Sequence, residues 1–195
     1  MPRKVRELVD NGIYHVYNRG NNRKNLFEDR EDFQTYLAML GVAKEKYEAD
    51  IFHYCLMTNH YHLLMRVKKG ESLGLLMHKV QLSYVRYYKK KYSYCGHVFQ
   101  ERYRSPRIHE ESYYLQCGRY IERNPVKAGM VEESDEYPYS SASFYTTGQR
   151  DNLITANLYY ADMGRSDDER QELYRDFLKV DEPYSEIIVQ ALNRV

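Results

Sequence analysis

Two short stretches hold the residue types that could do chemistry together. In "MTNHYHLLMRV", residues 57–67, His60 and His62 stand one residue apart in an otherwise apolar run. Alternate residues of a strand share a face, so both imidazoles would project to one side and could share a metal ion. In "YYLQCGRYIERNPV", Tyr120 and Asn124 are four apart, which puts a phenol and a carboxamide on one face of a helix. The carboxamide oxygen could complete a site of two imidazoles and one oxygen, with the phenol beside it. Each pattern is commonplace alone, since HxH equally suits satisfied or exposed histidines. The combination carries the expectation. His15, His53, His78, His97 and His109 lack such pairing and read as structural.

The elements that would position these groups follow from periodicity. Residues 12–22, "GIYHVYNRGNN", read as a strand ending in a Gly/Asn turn. Residues 28–48 read as a helix through Phe33, Tyr36, Leu37 and Leu40. Residues 51–57, "IFHYCLM", are a nearly continuous apolar strand suited to the middle of a sheet. Thr58 and Asn59 then turn into the strand of His60 and His62, whose alternate residues Tyr61, Leu63, Met65 and Val67 face the core. A second helix starts near Ser72, with Leu73, Leu76, Met77, Val80, Tyr84 and Tyr87 as its stripe. Residues 96–109 are extended, and a third helix from about Ser112 stops near Asn124, because Pro125 disfavours helical geometry in the residue before it. The order is strand, helix, strand, strand, helix, strand, helix. It predicts an α+β domain with a ferredoxin-like antiparallel sheet and helices on its faces. After Tyr137 the chain becomes acidic, and Ser166 and Glu169 in "SDDERQEL" have capping-box spacing, so 146–195 reads as a helical C-terminal extension to a 1–145 domain.

Composition narrows the function classes. No apolar run approaches 18 residues and the N-terminus is charged, which predicts neither a membrane span nor a signal peptide. Cys55, Cys95 and Cys117 form no CxxC, pointing to reduced thiols in a cytosolic protein. The net charge of +1 hides a division: residues 1–130 carry 23 Lys+Arg against 14 Asp+Glu, and residues 131–195 carry 6 against 14. A basic first part suggests a polyanion partner. The 22 tyrosines, some interleaved with cations in "SYVRYYKKKYSY", suit either core filling or stacking against unpaired bases.

At this point the chain resembles a known family. "YHVYNRGNNRKNLFEDREDF", "HYCLMTNHYHLLMRV", "GHVFQERYRS", "RYIERNPVKAGMV" and "YPYSSASFY" stand in the order found in REP-associated tyrosine transposases, single-tyrosine members of the HUH endonucleases. The likeness spans about residues 12–145. His60-Tyr61-His62 corresponds to the HUH element, with Tyr in a position that is usually more purely apolar. The resemblance implies that Tyr120 is the nucleophile, that His60, His62 and Asn124 hold Mg²⁺ or Mn²⁺, and that the partner is single-stranded or hairpin-bearing DNA. A homodimer stays open. Such a protein would be cytoplasmic and nucleoid-associated. Arg19, Asn21 and Arg23 resemble the family's RGN-type turn, and Arg66, Lys68, Lys69, Lys79, Arg86, Lys90, Arg102, Arg104 and Arg107 would supply phosphate contacts. Tyr84 and Tyr88 compete as a YxxxY pair, but Tyr84 continues an apolar stripe and neither is followed by a metal-competent residue four positions on.

The implied reaction is strand transfer. Attack by a tyrosine hydroxyl would leave a 5′-phosphotyrosine and a free 3′-hydroxyl, retaining the bond energy for rejoining. Two rivals remain: a binding-only relative that grips repeat hairpins, and a metal phosphodiesterase that hydrolyses small nucleotides. The presence of all four groups counts against the first. The lack of carboxylates beside the HxH counts against the second.

Overall fold

The structure is a computed structural model that describes residues 7–109 and 111–180. Its sheet is built from β1 (Ile13–Arg19), β2 (Ala49–Met57), β3 (His60–Val67) and β4 (Arg107–Ile108). The order is β2-β3-β1-β4, and every neighbouring pair is antiparallel. Two helices, α1 (Arg30–Lys46) and α2 (Ser72–Tyr92), interleave with the strands. Strand order and connectivity are those of the ferredoxin-like arrangement.

Both faces of this sheet are dry. Tyr14 and Val16 of β1 and Tyr61, Leu63, Met65 and Val67 of β3 are buried beneath α1 and α2 in the larger core. From α2, Leu73, Leu76, Met77, Val80, Tyr84 and Tyr88 join that core. The opposite face carries Phe52, Cys55 and Leu64 and is covered by α3 (Glu111–Glu122), through Tyr114, Cys117 and Ile121. Period-2 alternation on β3 therefore sorts His60 and His62 onto the α3 side. Between Ile51 and His53 the register slips by one residue, a β-bulge that turns Phe52 and His53 both toward α3.

Two expectations change in detail. The fourth strand is only two residues long, because Pro106 cannot donate to a ladder; upstream of it the chain keeps isolated bridges of Tyr17 with Arg104 and Gly20 with Phe99. Pro125 also does not end helical structure. The helix breaks at Arg123 and resumes as α4 (Asn124–Lys127), with proline in the first turn, where its missing N–H costs least. The acidic part folds as α5 (Ala142–Thr147) and α6 (Asp167–Lys179), and Ser166 caps α6 by accepting from the Glu169 N–H, as its spacing predicts. Tyr145, Tyr174 and Leu178 form a small core there. Residues 181–195 of the extension lie outside the described residues. No helix among the described residues is long and apolar enough to cross a membrane.

The tyrosines of α2 serve packing. Tyr87 and Tyr92 donate to Asp32 at 2.8 and 2.7 Å, and Lys91 reaches the same carboxylate at 2.9 Å. Asp32 also closes a capping box with Asp29 at the start of α1. Burial opposes its ionisation, but hydrogen bonds from Lys91, the Glu28 N–H, Tyr92 and Tyr87 outweigh that and hold its pKa below the usual carboxylate range. A carboxylate with a depressed folded pKa contributes stability above its unfolded pKa and loses it as pH falls toward the folded one. Asp32→Asn should therefore cost about 2 kcal/mol in urea unfolding at pH 7. The gap to the unsubstituted protein should shrink below about pH 4; a gap that stays constant with pH would contradict this role.

Candidate active site

The strand pair β1–β3 sets the floor of a cleft of about 330 Å³. Tyr17 of β1 stands opposite His62 of β3, and Arg19 opposite His60. After β1 the chain turns tightly at Gly20, where a Cβ would meet the Lys24 carbonyl oxygen at 2.0 Å. Asn22 and Arg23 follow in left-handed geometry, with φ of 53° and 58°. A few per cent of non-glycine residues accept that conformation, arginine at a cost of about 1 kcal/mol, and here it brings Arg23 to the rim of the cleft.

The ring nitrogens of the two histidines are individually directed. Asn59 donates its amide to the Arg23 carbonyl at 3.4 Å, which leaves its oxygen to face His60 Nδ1 at 2.7 Å. His60 therefore donates from Nδ1 and keeps a lone pair on Nε2. His62 is 4 % exposed, and its Nδ1 lies 2.9 Å from His15 Nε2. One of those nitrogens donates and the other accepts. When His62 is the donor, its Nε2 lone pair too is free to face the cleft. Burial pushes the His15 pKa down to about 3 and that of His62 well below the ordinary range, the latter aided by repulsion from His15 and His60. His60 is lowered less: burial and Arg19 depress it, while the hydrogen bond that the protonated ring would give Asn124 opposes them.

From the other side, α3 and α4 bring Tyr120 and Asn124. Pro125 has no N–H for the Ile121 carbonyl, so the Asn124 side chain substitutes for it, donating to Tyr120 O at 2.7 Å and Ile121 O at 3.2 Å. With its nitrogen so committed, the carboxamide presents its oxygen toward His60. The Tyr120 ring meets His62 edge-on with 5.5 Å between centroids, and His15 at 6.1 Å. Burial, with smaller contributions from Cys117, Tyr17 and Cys55, raises its pKa above that of an ordinary phenol. His60, His62, Tyr120 and Asn124 thus come together, although α2 and β4 separate the two pairs in sequence.

The donor set suits a divalent cation. Two imidazole nitrogens and one amide oxygen face each other, each fixed by a hydrogen bond on its far side. Among the described residues there is no cluster of three or more His, Cys, Asp or Glu that could hold a metal, so a cation at this place would have to take the amide as a ligand. A neutral ligand set leaves room for anionic phosphate oxygens as further ligands.

The predicted phosphate contacts separate into two groups. Arg19, Arg23, Arg102 and Arg104 line the cleft, with Arg19 held by Gln100 at 2.6 Å and Arg104 against Glu101 and Tyr17. Asn21 lies next to the rim, its N–H donating to Val98. The others do not join them. Arg66 and Lys68 pair with Asp50 and Glu48 at the far end of β3, about 20 Å along the strand, and Arg107 pairs with Glu7. Lys69 is exposed near Lys68, while Lys79, Arg86 and Lys90 are exposed on α2, across the sheet from the cleft. Tyr84 and Tyr88 also lie on that far side, their hydroxyls donating to the backbone oxygens of Leu26 and Asn25.

Two of the histidines read as structural are buried and hydrogen-bonded next to the site. His15 backs His62 directly, and His53 touches the helix that bears Tyr120. The sign for His15 was available: it is two residues before Tyr17 on one strand, so it shares the face that His62 occupies once β1 pairs with β3. His78, His97 and His109 are exposed and distant in the fold from this pair.

Comparison with known proteins gives a family. The model of the IS200-like transposases matches residues 8–124. A solved REP-associated tyrosine transposase bound to a REP hairpin superposes with a TM-score of 0.65, at 17 % identity over 81 % of this chain and 93 % of that one. A crystal structure of a chain assigned as a transposase in Deinococcus radiodurans R1 gives 0.43, at 17 % identity over 63 % and 97 %. Among curated proteins none matches. The first structural likeness supports the fold.

Histidine ionisation offers a direct check on this geometry. A lowered folded pKa keeps the ring neutral in the fold, while the unfolded ring protonates below about pH 6.5. Nitrogen-resolved NMR of the metal-free protein at pH 5 should show His15 and His62 neutral. A charged His15–His62 pair at that pH would contradict the burial described.

Proposed function

This chain belongs to the IS200-like transposase family, and from that premise we propose that it cuts and rejoins single-stranded DNA through Tyr120, with Mg²⁺ or Mn²⁺ held by His60, His62 and Asn124. The observation that carries the reading is a cleft lined by His60, His62, Tyr120 and four arginines, with Asn124 against His60 behind it. The REP-hairpin-bound relative supports a hairpin with a single-stranded flank as the substrate class. A DNA substrate also fits a cytoplasmic, nucleoid-associated protein.

In the proposed reaction, Arg19, Arg23, Arg102 and Arg104 draw the DNA backbone into the cleft and hold it by phosphate contacts. The Tyr120 hydroxyl oxygen attacks phosphorus. The bond to the 3′ oxygen breaks, that oxygen leaves as a 3′-hydroxyl, and the 5′ phosphate stays on the tyrosine. The cation, when bound, polarises the phosphate and stabilises the charge of the transition state. His15 and Asn59 hold the two imidazoles in orientation, and the Asn124 amide ties the third donor to the same turn that carries the nucleophile. Burial raises the Tyr120 pKa, so the phenol rests neutral in the free protein and its proton must depart as the oxygen attacks. Rejoining reverses the step with another 3′-hydroxyl and needs no ATP. All four groups come from one chain, so the reading requires no second copy.

A binding-only role gains nothing from the directed lone pairs of His60 and His62. A small-nucleotide phosphodiesterase gains nothing from four arginines along an open cleft.

Tyr120→Phe should bind hairpin DNA but form no covalent adduct, while Tyr84→Phe and Tyr88→Phe still form it; peptide mapping of an adduct trapped with Mn²⁺ reads this directly. His60→Ala and His62→Ala should abolish metal-dependent cleavage with DNA affinity changed by less than about tenfold, since affinity comes mainly from phosphate contacts. Normal cleavage by either would remove the metal assignment.

Location in the cleft should also decide which cations matter. Arg102→Ala should lower the slope of log affinity against log salt by about 0.7, the value for one single-strand phosphate contact. Arg86→Ala should leave it unchanged. Equal effects would mean that the DNA follows α2 rather than the cleft.

A further inference from the structure

Below the cleft, and outside it, lies a buried polar cluster that the proposed chemistry does not use. Glu122 of α3 is fully buried, and its carboxylate accepts from three directions. His53 Nδ1 donates at 2.8 Å, Ser141 Oγ at 2.5 Å and the Tyr174 hydroxyl at 2.7 Å. The far nitrogen of His53 accepts from the Asn157 amide at 2.9 Å, and that amide is itself oriented by the Tyr159 N–H on its oxygen. A carboxylate so deep costs several kcal/mol to desolvate unless its lone pairs are filled, so α3 can seat in few ways that keep all these donors.

A second contact fixes how close the helix comes. Gly118 lies directly over the His53 ring, and a Cβ there would stand 2.8 Å from Nε2. Gly118 and Glu122 are one helical turn apart, so one imidazole touches α3 on both sides of Tyr120. His53 faces α3 at all because of the β-bulge at Phe52; unbroken alternation from Ile51 would send it to the other face of the sheet.

We propose that His53 and Glu122 form a clamp that positions Tyr120 and Asn124 over the two histidines, and that the C-terminal segment, through Tyr174 and Asn157, is a working part of that clamp. These are positioning residues, and their relevance to strand transfer rests on the function proposed above. The acidic extension thereby holds the nucleophile's helix at the height and rotation that let Asn124 face His60. Misplacing a nucleophile by a fraction of an ångström lowers rate steeply without removing any substrate contact.

The test compares two hydroxyl deletions in the same C-terminal core. The Tyr174 hydroxyl reaches α3, whereas that of Tyr160 donates to the Tyr145 carbonyl of α5. The full-length chain is prepared with 3-fluorotyrosine at position 120, alone and with Tyr174→Phe, Tyr160→Phe or Gly118→Ala. Tyr174→Phe and Gly118→Ala should shift or broaden the fluorine resonance and slow adduct formation at saturating hairpin DNA by about tenfold or more, with DNA affinity within twofold. Tyr160→Phe should leave both readouts as in the parent. Indistinguishable spectra and rates for Tyr174→Phe and Tyr160→Phe would overturn the clamp. Should Gly118→Ala not fold, Tyr174→Phe, which removes a single oxygen, decides. A parent protein that forms no adduct would refute the proposed function, and the fluorine comparison would still judge the clamp.

Discussion

Buried polar groups must find partners, and in this fold that requirement decides more than hydrophobic burial does. The sheet face opposite α1 and α2 carries His15, Tyr17, His53 and His62 among Phe52, Cys55 and Leu64. Such a surface cannot be covered by a plain apolar helix, because an unpaired buried imidazole or carboxylate costs about 1–3 kcal/mol or more. The helix that covers it therefore brings its own polar groups: Glu122 for His53, Asn124 for His60 and the edge of Tyr120 for His62. Each pairing satisfies the interior and, in the same contact, orients a group of the proposed chemistry.

The break between α3 and α4 is an instance of the same accounting. Proline at 125 removes one backbone donor, which leaves the Ile121 carbonyl short of a partner. Asn124 makes good the loss with its side-chain nitrogen, and its oxygen is thereby aimed at the cleft. A local defect in the helix ladder is what directs the third donor. Asn59 acts similarly in the two-residue turn, where its amide nitrogen serves a backbone carbonyl and its oxygen sets the tautomer of His60.

Charge follows geometry rather than composition. The densest basic stretch of the sequence runs from Arg66 to Arg107, yet its members divide between the cleft, the far end of β3 and the outer side of α2. Local carboxylates at Asp50, Glu48 and Glu7 occupy three of these cations. Two arginines of the stretch, Arg102 and Arg104, join Arg19 and Arg23 around the candidate site, where their fields add.

Much of the fold was legible because it depends on local rules. Period-2 and period-3.6 patterns laid out the strand and helix order, the alternation on β3 put His60 and His62 on one face, and helix spacing put Asn124 one turn after Tyr120. The apolar stripe likewise sent Tyr84 to the far core, where Tyr88 is buried beside it and the expected Tyr87 only partly so. What local pattern could not carry were contacts set by register and by chain crossing. His15 meets His62 only when β1 pairs with β3, and His53 turns to α3 only through a bulge that an unbroken apolar run conceals. The fourth strand shrank because pairing partners, not extended propensity, define a strand. The acidic extension looked separate by charge, yet Tyr174 and Asn157 reach the helix of Tyr120, since burial of single side chains is indifferent to the net charge of the segment that bears them. Residue types and spacings thus determined which groups could act; long-range pairing decided which imidazole is backed, which arginines face the cleft and what the helix of Tyr120 packs against.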